Sequence, residues 1–190
     1  MKKDIIHLLA LTAILLWSSC CTNKVKPVIE PDKDIETRIE KILSGMTLEE
    51  KVGQMAQITI TVIQNNDKDG NPQWIPSMLD SVITKYKVGS ILNVINEQAQ
   101  TRKLTSDMIK ELQEKSMKEL GIPCLYGLDQ IHGASYIADA TLFPQEINVA
   151  ATFNREHAFN MGEVTAYESR AALNPWSFSP TLDLGRDQRW

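Results

Sequence analysis

The sequence predicts an α/β fold in which successive βα units build a parallel sheet. Short segments rich in β-branched residues alternate with amphipathic segments of about a dozen residues. The composition is that of a globular protein, with 43% hydrophobic and 23% charged residues in a chain of 190. In such folds the chemistry lies on loops that leave the carboxyl ends of the strands, so candidate residues are sought there.

The first 20 residues are predicted to form a lipoprotein signal peptide. Lys2 and Lys3 precede an apolar run from Ile5 to Trp17, and small residues precede Cys20. Charged, apolar and small-residue zones in this order are typical of a secretory signal. The run is shorter than the ~20 residues that a membrane-spanning helix needs. A buried N-terminal helix is the alternative interpretation.

The stretch from Leu16 to Cys20 resembles a bacterial lipoprotein cleavage box. The resemblance implies a lipid on Cys20 or Cys21, attachment to a membrane through that lipid, and export to the periplasm or the cell surface. Residues 21–33 contain two prolines and mixed charge without periodicity. They are predicted to tether the lipid to a domain at 34–190.

Hydrophobic periodicity predicts the helices and strands of that domain. A capping box of Thr47 and Glu50 starts one helix, and Asn154 caps another. Residues 65–72 are expected to be a polar loop. Helices are predicted at 34–44, 48–55, 75–86, 105–120 and 155–172, and strands at 57–63, 89–94, 122–127 and 176–179. The predicted apolar face of the helix 105–120 consists of Met108, Ile109, Leu112 and Met117.

Charge and cysteine content exclude several classes of function. The formal net charge is −4, and no cluster of lysines and arginines marks a nucleic-acid-binding surface. The three cysteines form no disulfide framework, and no Cys/His spacing suits a zinc site, so no metal site is predicted. Cys124 stands alone in a strand-like segment and is expected to be buried as a small apolar side chain.

Asp129 and His132 are the first candidates for chemistry, because they follow the predicted strand 122–127. An ionised carboxylate at this position can accept hydrogen bonds from vicinal sugar hydroxyls. The alternative for Asp129 is a turn or helix cap, the usual role of aspartate in a glycine-flanked loop. His132 is a candidate acid, base or ligand, and its alternative is a hydrogen bond to loop backbone.

A second group of candidates follows the predicted strand 176–179. Alternating charges there suit an ion-pair network that fixes a loop, which is the favoured interpretation. They also suit recognition of a polyhydroxyl ligand, with a tryptophan as a stacking surface. The residues concerned are Asp183, Arg186, Asp187, Arg189 and Trp190.

Five segments, in order, resemble glycoside hydrolase family 3. The first is Met-Thr-Leu-Glu-Glu-Lys-Val-Gly-Gln-Met at 46–55, and the second is Gly-Ile-Pro at 121–123 with Gly-Leu-Asp-Gln-Ile-His-Gly at 127–133. Residues 140–145 and 150–154, with Glu168, resemble the next stretches. Residues 179–190 resemble the start of the family's Arg-Asp-Pro-Arg-Trp motif, with Gln188 in place of proline.

The resemblance implies that residues 34–190 are the N-terminal portion of a (β/α)₈ TIM-like barrel, truncated. It implies that Asp129 holds substrate hydroxyls, that His132, Arg186, Asp187 and Arg189 support the site, and that both catalytic carboxylates lie beyond residue 190. The implied activity is that of a retaining exo-β-glucosidase acting on β-linked oligosaccharides or glucosides without a cofactor. We therefore expect the chain alone to be inactive.

Three alternatives stay open at this point. The parent enzyme could be a β-xylosidase or β-N-acetylglucosaminidase of the same family, although Ile131 and His132 fit the glucosidase branch. A surface lipoprotein could bind sugar without cleaving it. The least favoured alternative is an unrelated α/β enzyme that uses Asp129 and His132.

Overall fold

The computed structural model describes residues 31–182 and 185–189. Several predicted features lie outside the described residues. They are the signal peptide, the lipidation sites Cys20 and Cys21, the tether up to residue 30, and the candidate residues Asp183 and Trp190. The chain divides into two compact units, Met1–Gly45 and Met46–Trp190. No helix within the described ranges is both long and apolar enough to cross a membrane.

The described part of the first unit contains one helix, α1 (Lys33–Gly45), as the sequence predicts. None of its residues is buried.

The second unit has the predicted α/β class. Strands β1, β4, β5 and β6 form a parallel sheet in that order, and β2 and β3 form a separate antiparallel hairpin. Its elements are α2 (Leu48–Met55), β1 (Gln57–Thr59), β2 (Gln64–Asn66), β3 (Pro72–Trp74), α3 (Pro76–Leu79), β4 (Ser90–Leu92), α4 (Arg102–Leu120), β5 (Leu125–Leu128), α5 (Glu146–Ala150), α6 (Arg155–Ala171) and β6 (Trp176–Ser177).

The predicted capping box starts α2. The Thr47 hydroxyl accepts a hydrogen bond from the Glu50 amide at 3.2 Å, and the Glu50 carboxylate accepts one from the Thr47 amide at 3.0 Å. Two amide groups that a helix start leaves unpaired are thereby satisfied.

The end of α2 packs backbone to backbone against the segment that enters β4. The Gly89 amide donates to the Gly53 carbonyl at 3.0 Å. A Cβ atom at Gly53 would lie 2.0 Å from the Tyr86 carbonyl oxygen, and one at Gly89 would lie 2.1 Å from that of Gln54. Both positions therefore require glycine, and the contact fixes where β4 begins.

The main core lies between the sheet and α4. Ile91 of β4 is paired with Tyr126 of β5, and both side chains are fully buried against Ile109 and Leu112 of α4. The Tyr126 hydroxyl donates to the Asn93 carbonyl at 2.6 Å. Because side chains alternate along a strand, the neighbouring residues of β4 and β5 face the opposite side of the sheet.

The predicted strand 57–63 is wrong beyond Thr59. A 3₁₀ turn at Ile60–Val62 replaces it, and the Ile63 amide donates to the Ile60 carbonyl at 3.0 Å. Ile60 and Ile63 are both fully buried in the same core cluster. Three residues apart they would face opposite sides of a strand, whereas a 3₁₀ turn places them on one side.

The predicted polar loop at 65–72 contains most of a β-hairpin instead. Asn65 pairs with Gln73 and Asn66 with Pro72. The Asp67 carboxylate accepts hydrogen bonds from the amides of Asn71 at 2.8 Å and Asp69 at 2.9 Å, which close the turn. These bonds hold the pKa of Asp67 below its ordinary value, with the Asn71 amide the largest cause.

Two predicted helices differ in detail from the observed ones. The helix 75–86 consists of α3 followed by a π-helical turn at Asp80–Lys85. Helix α4 begins at Arg102, three residues before the predicted start, because the Thr101 hydroxyl accepts from the Leu104 amide at 3.2 Å. Helix α6 begins after Asn154, as predicted, and the short α5 is not anticipated by the sequence.

The prediction that Met117 lies on the buried apolar face of α4 is wrong, because Met117 is 49% exposed. Ser116 takes the buried position, and its hydroxyl donates to the Ile122 carbonyl at 2.7 Å. The observed face therefore includes a serine that periodicity of apolar residues does not reveal.

The strands are also shorter than predicted. Strand β4 covers three of the six residues predicted at 89–94, and β6 covers two of the four predicted at 176–179. Strand β5 starts three residues late, because the Gln113 side chain bonds the backbone of Cys124, accepting from its amide at 3.0 Å and donating to its carbonyl at 2.5 Å.

Candidate active site

Asp129 follows β5 directly, at the carboxyl edge of the parallel sheet. Its side chain is exposed, and its carboxylate makes no hydrogen bond within the part of the chain that the structure describes. The alternative in which Asp129 closes a turn is therefore not observed. A carboxylate that is solvated and free of internal partners is available to a ligand.

The sheet register sets the neighbours of Asp129. Gly127 pairs with Trp176 and Leu128 with Ser177, and the Phe178 amide continues the ladder by donating to the Leu128 carbonyl at 3.0 Å. Asp129 and Phe178 are the residues that follow the last register pair, Leu128 and Ser177, on their two chains. The sequence predicts only a strand for Trp176 and Phe178, although their i, i+2 spacing indicates that both side chains lie on one face.

A network of buried side-chain amides holds the loop that contains Asp129. With the Asn174 amide assigned in the orientation that satisfies its neighbours, its side chain donates to the carbonyls of Tyr126 at 2.9 Å and Trp176 at 3.2 Å, and it accepts from the Gln130 side chain at 2.8 Å. Gln130 and Asn174 are 3% and 2% exposed, respectively. The network joins β5, the loop after it and the start of β6, so it fixes the position of the residue between Leu128 and Gln130.

His132 is half-buried in the same loop. Its backbone carbonyl accepts from the Phe143 amide at 2.9 Å, and the next residue, Gly133, has φ +88°. A Cβ at Gly133 would lie 2.4 Å from the Thr141 carbonyl oxygen. The His132 ring makes no hydrogen bond to backbone among the residues described, so the local alternative for this side chain is not seen.

Glu168 of α6 ties the far end of this loop to the helix layer. Its carboxylate accepts from the Thr141 amide and from the Thr141 hydroxyl, both at 2.9 Å. Two of the sequence segments that resemble the hydrolase family thus meet in space. Their bonds hold the loop that starts at Asp129 rather than supply a reacting group.

The segment 185–189 is exposed throughout. Arg189 donates to both oxygens of the Asp187 carboxylate, from Nε at 3.0 Å and from Nη2 at 2.7 Å. This pair holds the pKa of Asp187 below its ordinary value, with the Arg189 side chain the largest cause. Arg186 takes part in no ion pair with another described residue, so the described part of this segment shows a bidentate pair and no wider network.

The structure does not join the two groups of candidate residues. In residues 31–182 and 185–189, no hydrogen bond or ion pair links Asp129 or His132 to Arg186, Asp187 or Arg189. The described residues also contain no group of three or more His, Cys, Asp or Glu side chains placed to hold a metal ion.

Cys124 is excluded as a nucleophile. It is 2% exposed, and burial raises the pKa of its thiol to about 12. The reactive form of cysteine is the thiolate, so this side chain stays protonated at neutral pH. The prediction that Cys124 is a buried apolar side chain is confirmed.

A cavity of about 540 Å³ lies between α5, α6 and the end of β6. Its lining is mostly apolar and includes Val149, Met161, Gln130 and Ser177. Ser177 alternates with Trp176 along β6, so this cavity lies on the opposite side of the sheet from the Trp176 side chain.

Comparison with known proteins identifies the family. Residues 47–190 match the family described as Glycosyl hydrolase family 3 N terminal domain. The chain is 33% identical over 169 residues to a lysosomal beta glucosidase of Dictyostelium discoideum, covering 82% of this chain and 20% of that protein. It is 27% identical over 154 residues to a periplasmic beta-glucosidase of Salmonella typhimurium, covering 80% of this chain and 17% of that protein.

A solved structure agrees with these sequence matches. An exo-1,3/1,4-beta-glucanase of a Pseudoalteromonas species superposes with a TM-score of 0.68 at 31% identity, covering 85% of this chain and 19% of that one. The chain thus spans about a fifth of the length of these relatives. The sequence match and the shared α/β fold show that this chain belongs to the N-terminal domain family of the family 3 glycoside hydrolases.

Proposed function

We propose that the protein carrying this chain is a retaining exo-β-glucosidase that releases terminal β-linked glucose from oligosaccharides or glucosides. The observation that carries the proposal is Asp129, an exposed carboxylate without internal partners among the described residues, at the carboxyl edge of the sheet. The named activities of the two β-glucosidase relatives and the β-glucanase support the same substrate class.

Asp129 would act by binding the sugar rather than by attacking it. An ionised carboxylate accepts two hydrogen bonds from neighbouring hydroxyls, and such bonds strengthen in the oxocarbenium-like transition state. Retaining hydrolysis needs two further carboxyl groups about 5–5.5 Å apart. We expect both to lie beyond residue 190, and we expect supporting roles for His132, Arg186, Asp187 and Arg189, as the family resemblance implies.

Removal of the Asp129 charge tests this role. In the full-length enzyme, Asp129→Asn should lower kcat/KM for an aryl β-glucoside by about two to four orders of magnitude, because charged hydrogen bonds to the transition state contribute several kcal/mol. The matched control is Asp139→Asn, which changes an exposed aspartate in the same loop and should leave kcat/KM within about twofold.

Near wild-type turnover in Asp129→Asn would remove Asp129 from the site. Glucose binding by the wild type without any turnover would instead favour a sugar-binding protein over a glucosidase. Faster hydrolysis of an aryl β-xyloside than of the glucoside would favour the xylosidase alternative.

We also propose that the protein is exported and held to a membrane by a lipid on Cys20. The order of Lys2, Lys3, the apolar run and Cys20 supports both parts of this proposal. The words lysosomal and periplasmic in the names of two relatives support export alone. Cys20→Ser should abolish labelling with a radioactive fatty acid and move the protein from the detergent to the aqueous phase. Cys21→Ser is the matched control, and loss of labelling in that variant alone would assign the lipid to Cys21.

A further inference from the structure

Phe153 combines nearly full exposure with a strained backbone. It lies in the turn between α5 and α6, the residue is 96% exposed, and its φ is +54°. This left-handed conformation is strained for a bulky residue, whereas glycine or asparagine adopts it readily. The turn is held by the Phe153 amide, which donates to the Ala150 carbonyl at 3.0 Å. An aromatic ring is thus fixed in water at a cost that burial among the described residues does not offset.

Gly162 is a second unfavourable residue, on the adjoining helix. It lies in the interior of α6, where glycine is less stable than alanine because it loses more conformational freedom on folding. Apart from the backbone around it, a Cβ atom at Gly162 would meet no heavy atom of the described residues within 4 Å. Steric contacts within this part of the chain therefore do not require glycine here, in contrast to Gly53 and Gly89.

The apolar cavity of about 540 Å³ between α5, α6 and β6 connects these two residues. Gly162 lines it together with Ala158 and Ala166, which lie one turn to either side. Ala150, whose carbonyl binds the Phe153 amide, lines it from α5. Small residues on three successive turns of α6 leave room for another segment of protein to approach the helix closely.

The chain that leaves β6 runs along this cavity. Ser179 and Pro180 line it, and the Thr181 amide donates to the Glu146 carboxylate of α5 at 3.4 Å. In a protein as long as the relatives that this chain matches, about four-fifths of the polypeptide lies outside it. A segment tethered close to a docking face has a high effective concentration there. This favours the same polypeptide over a second copy as the occupant.

We propose that, in the full-length protein, polypeptide following residue 190 packs on this face, filling the cavity and burying the Phe153 ring. The strained turn then presents a preorganised anchor, because a ring already fixed in its bound position loses little freedom on docking. Gly162 lets that segment approach α6 closely. The inference goes beyond the proposed activity, because it concerns what covers this face and not what the protein hydrolyses.

Two substitutions test the proposal, because docking and free exposure predict effects of opposite sign. In the full-length protein, Phe153→Asn should lower the melting temperature by about 2–5 °C, since it removes a buried ring. A ring that stays in water would give the opposite result, because asparagine relieves the strain of positive φ. Gly162→Ala should also lower the melting temperature, whereas a helix face that stays uncovered would be stabilised by alanine.

Leu173→Asn and Asn160→Ala are the matched controls. Leu173 also has a positive φ, +61°, and is 45% exposed after the end of α6. Asn160 is exposed on α6, two positions from Gly162 and so on the other side of the helix. Both controls should melt at or above the wild-type temperature. An unchanged or raised melting temperature in Phe153→Asn or in Gly162→Ala would overturn the proposal.

A photo-crosslinker identifies what covers the face. With p-benzoylphenylalanine in place of Phe153, irradiation of the full-length protein should give an intramolecular cross-link to a peptide beyond residue 190, mapped by mass spectrometry. A cross-linked dimer would assign the face to a second copy, and the absence of any cross-link would mean that the ring stays in water. Either result would overturn the proposal. Melting and cross-linking use no substrate, so failure of the glucosidase proposal would leave both results unaffected.

Discussion

The two parts of the α/β unit are held together in different ways. Around β1, β4, β5 and α4, a continuous cluster of buried apolar side chains fills the space between sheet and helices. Around α5, α6 and β6, the second cluster consists of Ala134, Ile137 and Ala172, with Ala140 packed against it. Apolar packing therefore dominates the first part, and the second part relies on other contacts.

Hydrogen bonds between side chains and backbone hold the second part together where buried apolar contacts are few. Asn174 bonds β5, β6 and Gln130, and Glu168 bonds Thr141. Large apolar residues of α6 and the turn before it are meanwhile exposed, among them Phe153 at 96%, Tyr167 at 77% and Phe159 at 70%. Asp129 lies at the boundary, between the end of β5 in the packed part and the loop of the polar part. The packed part thus fixes where the site begins, and the polar part fixes the course of its loop.

The largest expected effect tests the packed part. Leu112 of α4 is fully buried, and Leu112→Ala should lower the free energy of unfolding by about 2–5 kcal/mol, because it leaves a cavity. Met117→Ala on the same helix is the control and should cost less than about 1 kcal/mol, since Met117 is 49% exposed. Urea denaturation followed by circular dichroism measures both, and equal losses would contradict the difference in burial.

An intermediate effect tests the polar part. Asn174→Ala should lower the free energy of unfolding by about 1–3 kcal/mol, because it strands the buried Gln130 side chain and two carbonyls. Asn148→Ala, at an exposed position of α5, should be close to neutral. Hydrogen exchange should show that amides of β6 and of the loop after β5 lose protection, whereas those of α4 do not. An equal loss of protection in both parts would mean that they unfold as one unit.

The smallest effect concerns Asp187, which lies in neither part. Arg189 lowers the pKa of Asp187. The ion pair therefore stabilises the ordered segment at pH values above the ordinary aspartate pKa. This stabilisation is lost as the pH falls through the lowered pKa and Asp187 becomes protonated. Arg189→Gln should raise the pKa of Asp187 towards its ordinary value. Carboxyl ¹³C titration by NMR measures the shift, and an unchanged pKa would mean that the ion pair does not form in solution.

Features that depend on adjacent residues could be predicted from the sequence. The Thr47–Glu50 capping box, the Asn154 cap and the start of α3 at Pro76 involve groups within a few residues of one another. The position of Asp129 at a carboxyl end follows from the order of strand and loop. The parallel class follows from the alternation of elements.

Features that depend on distant partners could not be predicted. Gln113 delays the start of the predicted strand by bonding Cys124 across 11 residues, and Ser116 replaces Met117 in the core because its hydroxyl reaches Ile122. The neighbours of Asp129 at the end of β6 could not be predicted, because the register that pairs Leu128 with Ser177 spans 49 positions and has no local signal.

The contact between Gly53 and Gly89 has a genetic consequence. Every amino acid except glycine carries a Cβ atom, so every missense mutation at either codon introduces the same steric lesion, whatever else the new side chain brings. In a saturation mutagenesis library, conservative and radical replacements at these two positions should therefore reduce the amount of folded protein to a similar extent. Second-site suppressors should be rare, because the atoms in the way, the carbonyl oxygens of Tyr86 and Gln54, belong to the main chain and no codon change removes them.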